Sequence, residues 1–279
     1  MNHKRTVILR WILPLAWMMS TNGLSAADLQ PKTLKAWETY RQLTEKRVST
    51  ELEGTNGFLE MDFKKAAEAA AIRNQLKSGQ VYIEKLKTTD ARGKDIDVDD
   101  GMIHHWYGAI FIPNVSMDRL LQWIQNYDQH SRYFNEVEKS KLLSREGDAF
   151  KIFLRFVRKK VVTVHYNTEH TAVYRRHDSS RVSSYSIATR IAQLDDVGTP
   201  REKERPVEHD SGYMWRLNSY WRFRAEDGGV VIECESISLS RSIPWGVGWL
   251  VKGFVESVPR ESLEATLTQI RDGVQAGRN

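Results

Sequence analysis

Three side chains able to hold or move a proton fall at every second position of one short stretch: Tyr166, Thr168 and His170. On an extended strand such spacing places all three on one face. A histidine titrates near neutral pH, so His170 could act as a general acid–base or bond a bound molecule. The competing reading is a core histidine paired with Tyr166, Tyr185 or a backbone carbonyl. A second stretch, "GYMWRLNSYWRF", alternates in the same way and sets Tyr213, Trp215, Leu217, Ser219, Trp221 and Phe223 on one side. Such rings could stack on an apolar molecule or fill a core.

Two other clusters tempt a metal reading and do not sustain it. His104 and His105 are strand neighbours and point to opposite faces, so one ion cannot easily take both. "DIDVDDG" at 95–101 has the acidic alternation of a calcium loop, but Asp100 stands where that loop needs glycine and Trp106 where it needs glutamate. No phosphate loop, nucleophile elbow or paired catalytic acids occur, so neither a metal nor a cofactor is expected. "NVS" at 114–116 is a glycosylation sequon only in a host that uses it. Cys234 is the lone cysteine, which rules out an intrachain disulfide.

The elements that would position these residues follow from periodicity. Residues 32–52 and 62–77 read as helices, broken by "GTNG" and closed by Gly79. Strand signals occur at 80–87 and 102–112. Ser116 is a candidate N-cap for one helix or two short ones over 116–134. Further strands are expected near 136–144, 149–157, 161–174, 182–194, 212–224 and 230–240. The charged stretch 195–211 reads as a mobile loop. Pro259 sits where a final helix could restart, with Leu263, Leu267, Ile270 and Val274 as its apolar stripe. Turn positions set Trp221 opposite Cys234, Arg222 opposite Glu233 in an outward pair, Phe156 opposite Val162, and Tyr185 opposite Ala172. The inner face then holds Tyr166, Thr168, His170, Tyr185, Ile187, Thr189, Ile191, Trp215, Leu217, Ser219, Trp221, Phe223, Ser236 and Ser238. One helix is small cover for so large a face, and a packed core tolerates few unpaired hydroxyls. A pocket with mostly apolar walls does need them.

The chain has 279 residues, and its bulk numbers exclude some functions. "MNHKRTVILR", a short apolar run and "GLSAADLQ" have the layout of a secretory signal peptide, with cleavage near Ala26–Ala27. Losing residues 1–27 removes Lys4, Arg5 and Arg10 and no acid, taking the formal charge from +5 to +2. The basic character is therefore partly a property of the leader, and no nucleic-acid partner is expected. The apolar segment "SIPWGVGWLVKGF" at 242–254 reads as a buried helix start, a pocket lid or a membrane contact through Trp245, Trp249 and Phe254.

In element order the chain resembles the START-like (SRPBCC) helix-grip superfamily, which includes lipid-transfer domains, polyketide cyclases and coenzyme Q-binding proteins. The resemblance rests on "GAIFIPNVSMDRLLQWIQNYDQHSRYF", "GYMWRLNSYWRFRAEDGGVVIECESISL" and "VPRESLEATLTQIRDGV", over about residues 102–276. It implies an α+β fold, a curved antiparallel sheet wrapped around a long C-terminal helix, with a hydrophobic cavity between. It carries over no catalytic residue. The expected organisation is a signal peptide at 1–27, a helical N-terminal extension at 28–100 and the helix-grip domain at 101–279. The expected function is an exported protein that binds a lipid or other hydrophobic small molecule, lined by Tyr166, Thr168, His170, Tyr185, Trp215, Ser219 and Trp221. Two alternatives stand beside it: a cyclase- or dehydratase-like enzyme using His170, and a protein-interaction module with a closed core.

Overall fold

The structure, a computed structural model, describes residues 27–159, 163–242 and 248–277, with the side chains of 248–256 outside that description. The leader expected at 1–27 therefore lies almost wholly outside the described residues, as does Trp245.

The chain opens with β1 (Ala27–Asp28), α1 (Pro31–Glu53), a 3₁₀ turn (Glu60–Phe63) and α2 (Ala66–Lys77). Next come β2 (Tyr82–Lys85), β3 (Gly101–Pro113), α3 (Met117–Ile124) and α4 (His130–Tyr133). The β-rich part follows: β4 (Val137–Glu146), β5 (Ala149–Lys159), β6 (Thr163–Arg176) and β7 (Arg181–Asp195). After β8 (Lys203–Glu204) and β9 (His209–Asp210) come β10 (Arg216–Glu226), β11 (Gly229–Arg241) and α5 (Gly248–Ala276). The main sheet runs β2-β3-β11-β10-β7-β6-β5-β4, every pairing antiparallel, with β8 added to β7.

Helix α5 is held from both flanks of the sheet. On one flank it packs on β3 at Gly108, where an added Cβ would lie 2.7 Å from Leu267 Cδ1 and 3.1 Å from Leu263 Cδ2. On the other, Arg158 of β5 donates to Glu261 (3.0 Å) and the Asn135 amide donates to Gln269 Oε1 (2.6 Å). Leu263, Leu267, Ile270 and Val274 bury their stripe against Ile110, Ile112, Phe223, Val230 and Ile232. This is the α+β helix-grip arrangement expected from the sequence. The helix runs straight through Pro259 rather than restarting there.

The opposite face of the sheet is covered by the N-terminal helices. Trp37, Tyr40 and Val48 of α1 cluster with Tyr220, Ile237 and Leu239. Phe58, Leu59 and Met61, with Ile72 and Leu76 of α2, cluster with Tyr107, Ala109 and Val231. Strand β2 from the same part of the chain pairs with β3 as an edge of the main sheet.

Several placements differ from the sequence reading. Trp215 does not face inward: it precedes β10 and is buried with Trp37, Ile237 and Leu239 on the outer side. Tyr185 and Ile187 also face outward, because Ala172 pairs with Ser186 and not with Tyr185. The five residues His177–Arg181 make an asymmetric turn, in which the Asp178 carboxylate accepts the Ser180 and Arg181 amides (2.8 and 2.9 Å). A bulge between Glu169 and His170 displaces Thr189 from the inner face. Phe156 pairs with Tyr166 rather than Val162, a slide of four residues that leaves the faces unchanged. The stretch 195–211 is tied down by β8, by β9 pairing with β1, and by Arg155 and Asn167 bonding Glu202 and Glu204.

Candidate functional site

The inner face of the sheet is a wall whose side chains line up strand by strand. One cross-strand row reads Phe150, Ala172, Ser186, Ser219, Ser236 and Trp106. The row on its Gly108 side reads Tyr174, Ser184, Trp221, Cys234 and Gly108. Away from Gly108 lie Leu217, Ser238 and His104 on one part of the sheet, and Ile152, His170 and Ala188 on another. Leu154, Thr168 and Ile191 follow, then Phe156 and Tyr166.

Two properties set this wall apart from an ordinary core. First, it is incompletely covered. Ser186, Leu217, Ser219, Trp221, Ser236, Ser238 and Trp106 remain part-exposed although they face the concave side. Phe223, Ile232 and Ile110, under the C-terminal part of α5, are fully buried. Ser186, Ser236 and Ser238 donate no side-chain hydrogen bond to any described residue. Second, the middle of the wall is uncharged, the charges on this face standing at its margins, where Arg158 pairs with Glu136 and Glu261 and Arg145 lies over the Phe150 ring. Between 102 and 112, 150 and 156, 166 and 174, 182 and 191, 217 and 225, and 230 and 240, no inner-facing position carries lysine, arginine, aspartate or glutamate.

The titratable groups here are neutral as well. Burial lowers His170 to about 4, so its ring carries no charge at neutral pH. It sits edge-on to Phe156, with ring centroids 5.9 Å apart. Burial also pushes the Tyr166 hydroxyl well above its ordinary value. Burial raises the Cys234 thiol too, against a hydrogen bond with Ser219. A neutral histidine at the end of this scale can accept a hydrogen bond but is a poor acid at pH 7.

Of the residues picked from sequence to line a pocket, Tyr166, Thr168, His170, Ser219 and Trp221 lie on this wall, while Tyr185 and Trp215 lie on the outer face. Trp106, Ser186, Ser236 and Ser238 belong with the former group. The period-two serines of "CESISLS" are the signal for the last two.

The outer face carries the charge that the inner face lacks. Glu233, Glu235, Arg222, His105 and Tyr107 are all buried beneath the N-terminal helices. Glu233 accepts the Met61 amide (3.2 Å), the Glu60 amide (2.5 Å) and the Tyr107 hydroxyl. Arg222 pairs with Glu51 and donates to the Phe58 carbonyl (3.0 Å). Glu235 pairs with Arg47 and accepts from His105 Nε2 (2.7 Å). Burial would raise the Glu235 carboxyl, but His105 and Arg47 together draw it down to about 2. A cleft of about 540 Å³ opens beside α1, lined by Leu43, Arg47, Glu51 and Phe63. The network docks the helices: Arg47 and Glu51 of α1, Glu60 and Met61 of the 3₁₀ turn and Phe58 just before it all bond β10 or β11, while Tyr107 and His105 of β3 brace the two glutamates from within the sheet.

Glu60 gives this docking a pH dependence. Burial, with the neighbouring Glu233 charge and against Lys64, raises its carboxyl from 4.5 to about 7. A carboxyl raised on folding stabilises the fold below pH 4.5, and that contribution is lost as pH rises to 7. Its full size is about 3 kcal/mol by linkage. Urea midpoints at pH 5 and pH 8 should therefore differ more for the natural protein than for Glu60→Gln. Equal differences in the two proteins would show that Glu60 is not the group responsible.

No protein-family model matches the sequence, and no curated protein matches it. Solved structures of similar shape do exist. A STAR-related lipid transfer protein fragment from Xanthomonas axonopodis is 14% identical at a TM-score of 0.46, covering 69% of this chain and 98% of its own. The Zhui aromatase/cyclase from a Streptomyces species is 11% identical at 0.41, covering 64% and 97%. A START superfamily protein from Mycobacterium smegmatis is 8% identical at 0.38, covering 63% and 97%. The likeness to these START-type structures is one of fold, and the helix-grip assignment stands on this chain's own strand order and gripping helix.

Proposed function

We propose that the protein binds a neutral, largely apolar small molecule between the inner wall and α5. The observation that carries this is the middle of the wall: part-exposed, free of charged side chains, and lined by rings, aliphatics and unengaged hydroxyls. A surface of that make-up suits an apolar body with a few neutral polar groups. It disfavours a carboxylate, phosphate or ammonium, each of which would be buried without a counter-charge. N-Phenyl-naphthylamine, whose fluorescence rises in apolar surroundings, tests the reading. Saturable uptake at one site is expected, and a protein that leaves the dye unchanged would refute it.

The proposal includes export after cleavage near Ala26–Ala27, on the strength of the leader-like sequence. Fractionation of the source cells with N-terminal sequencing of the mature chain tests this, and an intact Met1 terminus in the cytosolic fraction would refute it. It also includes a peripheral membrane contact through Trp245, Trp249 and Phe254, which would place the cavity near a lipid surface. Co-sedimentation with neutral phospholipid vesicles should fall when all three are changed to serine. Unaltered co-sedimentation, or none to begin with, would remove that part.

A further inference from the structure

We propose that the molecule held by this wall carries a hydroxyl group, and that this hydroxyl donates a hydrogen bond to Nδ1 of His170. The inference rests on the binding reading above and narrows it to one ligand class, the neutral apolar alcohols.

The argument follows one proton. Thr168 Oγ1 lies 3.0 Å from the Leu154 carbonyl oxygen and 2.9 Å from His170 Nε2. A carbonyl oxygen can only accept, so the single hydroxyl proton of Thr168 is directed to Leu154. Thr168 Oγ1 is then the acceptor for His170, and the ring proton must sit on Nε2. Burial holds the ring neutral. A neutral imidazole protonated at Nε2 presents a lone pair at Nδ1. Among the described residues nothing donates to that nitrogen, although His170 is only 5% exposed. An unpaired acceptor on so buried a residue is open to a donor from a guest.

The donor cannot come from just any guest. Esters, ketones, ethers and ionised carboxylates accept and do not donate. A protonated amine donates but would bring an unpaired charge onto a wall that has none to offset it. A neutral amide N–H can donate but cannot accept at the same atom, whereas an alcohol donates one hydrogen bond, remains neutral and keeps its oxygen as an acceptor. Its oxygen can in turn accept from a serine. Ser186 stands one row along β7 from Ala188, the register partner of His170, and its hydroxyl engages no described residue. His170 and Ser186 thus offer an acceptor and a donor to one hydroxyl.

A matched pair of probes tests this: dodecanol and dodecyl methyl ether, each competing against bound N-phenyl-naphthylamine. The pair differs in the ability to donate. With the natural protein the alcohol should displace the dye at about tenfold lower concentration, the size expected of one well-made hydrogen bond. In His170→Phe the alcohol should lose its advantage and match the ether, the two being compared within that variant. Equal potency in the natural protein, or a preference that survives in His170→Phe, overturns the proposal. Failure of the dye itself to bind overturns the binding reading and this inference with it. Nitrogen-15 NMR of the natural protein gives an answer that does not depend on a variant folding. The Nδ1 resonance of His170 should move on adding the alcohol and stay in place with the ether; a resonance that ignores both overturns the proposal.

Discussion

Replacing Arg222 with methionine is expected to cost about 3–5 kcal/mol of stability, the penalty typical of breaking a buried ion pair from one side. Arg222 is 3% exposed and pairs with Glu51 of α1. It also donates to the Phe58 carbonyl, and its charge opposes the rise that burial gives the Glu233 carboxyl. Methionine fills a similar volume but leaves Glu51 with Arg47 alone and Glu233 with one fewer counter-charge. Changing Glu51 to glutamine in the same protein should restore part of the loss, because the orphaned charge goes with it. Denaturant unfolding of the two single variants and the double variant measures the coupling. A cost below about 1 kcal/mol for Arg222→Met would mean that the N-terminal helices are held by their apolar clusters and not by this network.

Ser219→Trp is expected to abolish uptake of the apolar dye while leaving the fold nearly as stable as before. Ser219 lies mid-row between Ser186 and Ser236 and is part-exposed. An indole added there enters the proposed guest space. In a filled interior the same change would be an overpacking mutation, costing about 1–3 kcal/mol or more. The two accounts therefore separate on a pair of readings. A hollow interior gives a stable protein that binds at least about tenfold more weakly, the loss expected when a guest's contacts worth some 1.4 kcal/mol are blocked. A packed interior gives a destabilised protein whose dye signal never existed.

How much of this was legible in the sequence depends on the length of each turn. Between β10 and β11, Asp227 and Gly228 both take positive φ (51° and 73°), a two-residue turn that fixes register on its own. The pairs Trp221–Cys234 and Arg222–Glu233 were accordingly readable from "EDGG". Five residues lie between the last β6–β7 pair, Arg176 and Val182, and the Asp178 side chain shapes them, so the turn motif alone does not fix the register. The resulting one-residue slip put Tyr185 and Ile187 on the wrong face. Trp215 departs from the alternation for another reason: it precedes the strand, and its ring meets Trp37 of α1, a partner far off in sequence.

The outer face was the least legible part. Glu233, Glu235 and Arg222 look like solvent-facing strand residues in any alternating pattern. Their burial becomes visible only once α1 and the 3₁₀ turn are seen to lie over them. The inner wall was more readable because hydroxyls at 219, 236 and 238 alternate with residues that carry the other face. That contrast between a neutral concave wall and a charged convex one is what separates the guest site from the docking surface.

The most direct measurement is native mass spectrometry of the protein purified from its own source, with organic extraction of the same sample. The account predicts a neutral, organic-soluble species bound one to one, absent from Ser219→Trp prepared in the same way. Natural protein that flies at its bare polypeptide mass, yields nothing on extraction and takes up no apolar dye would contradict it.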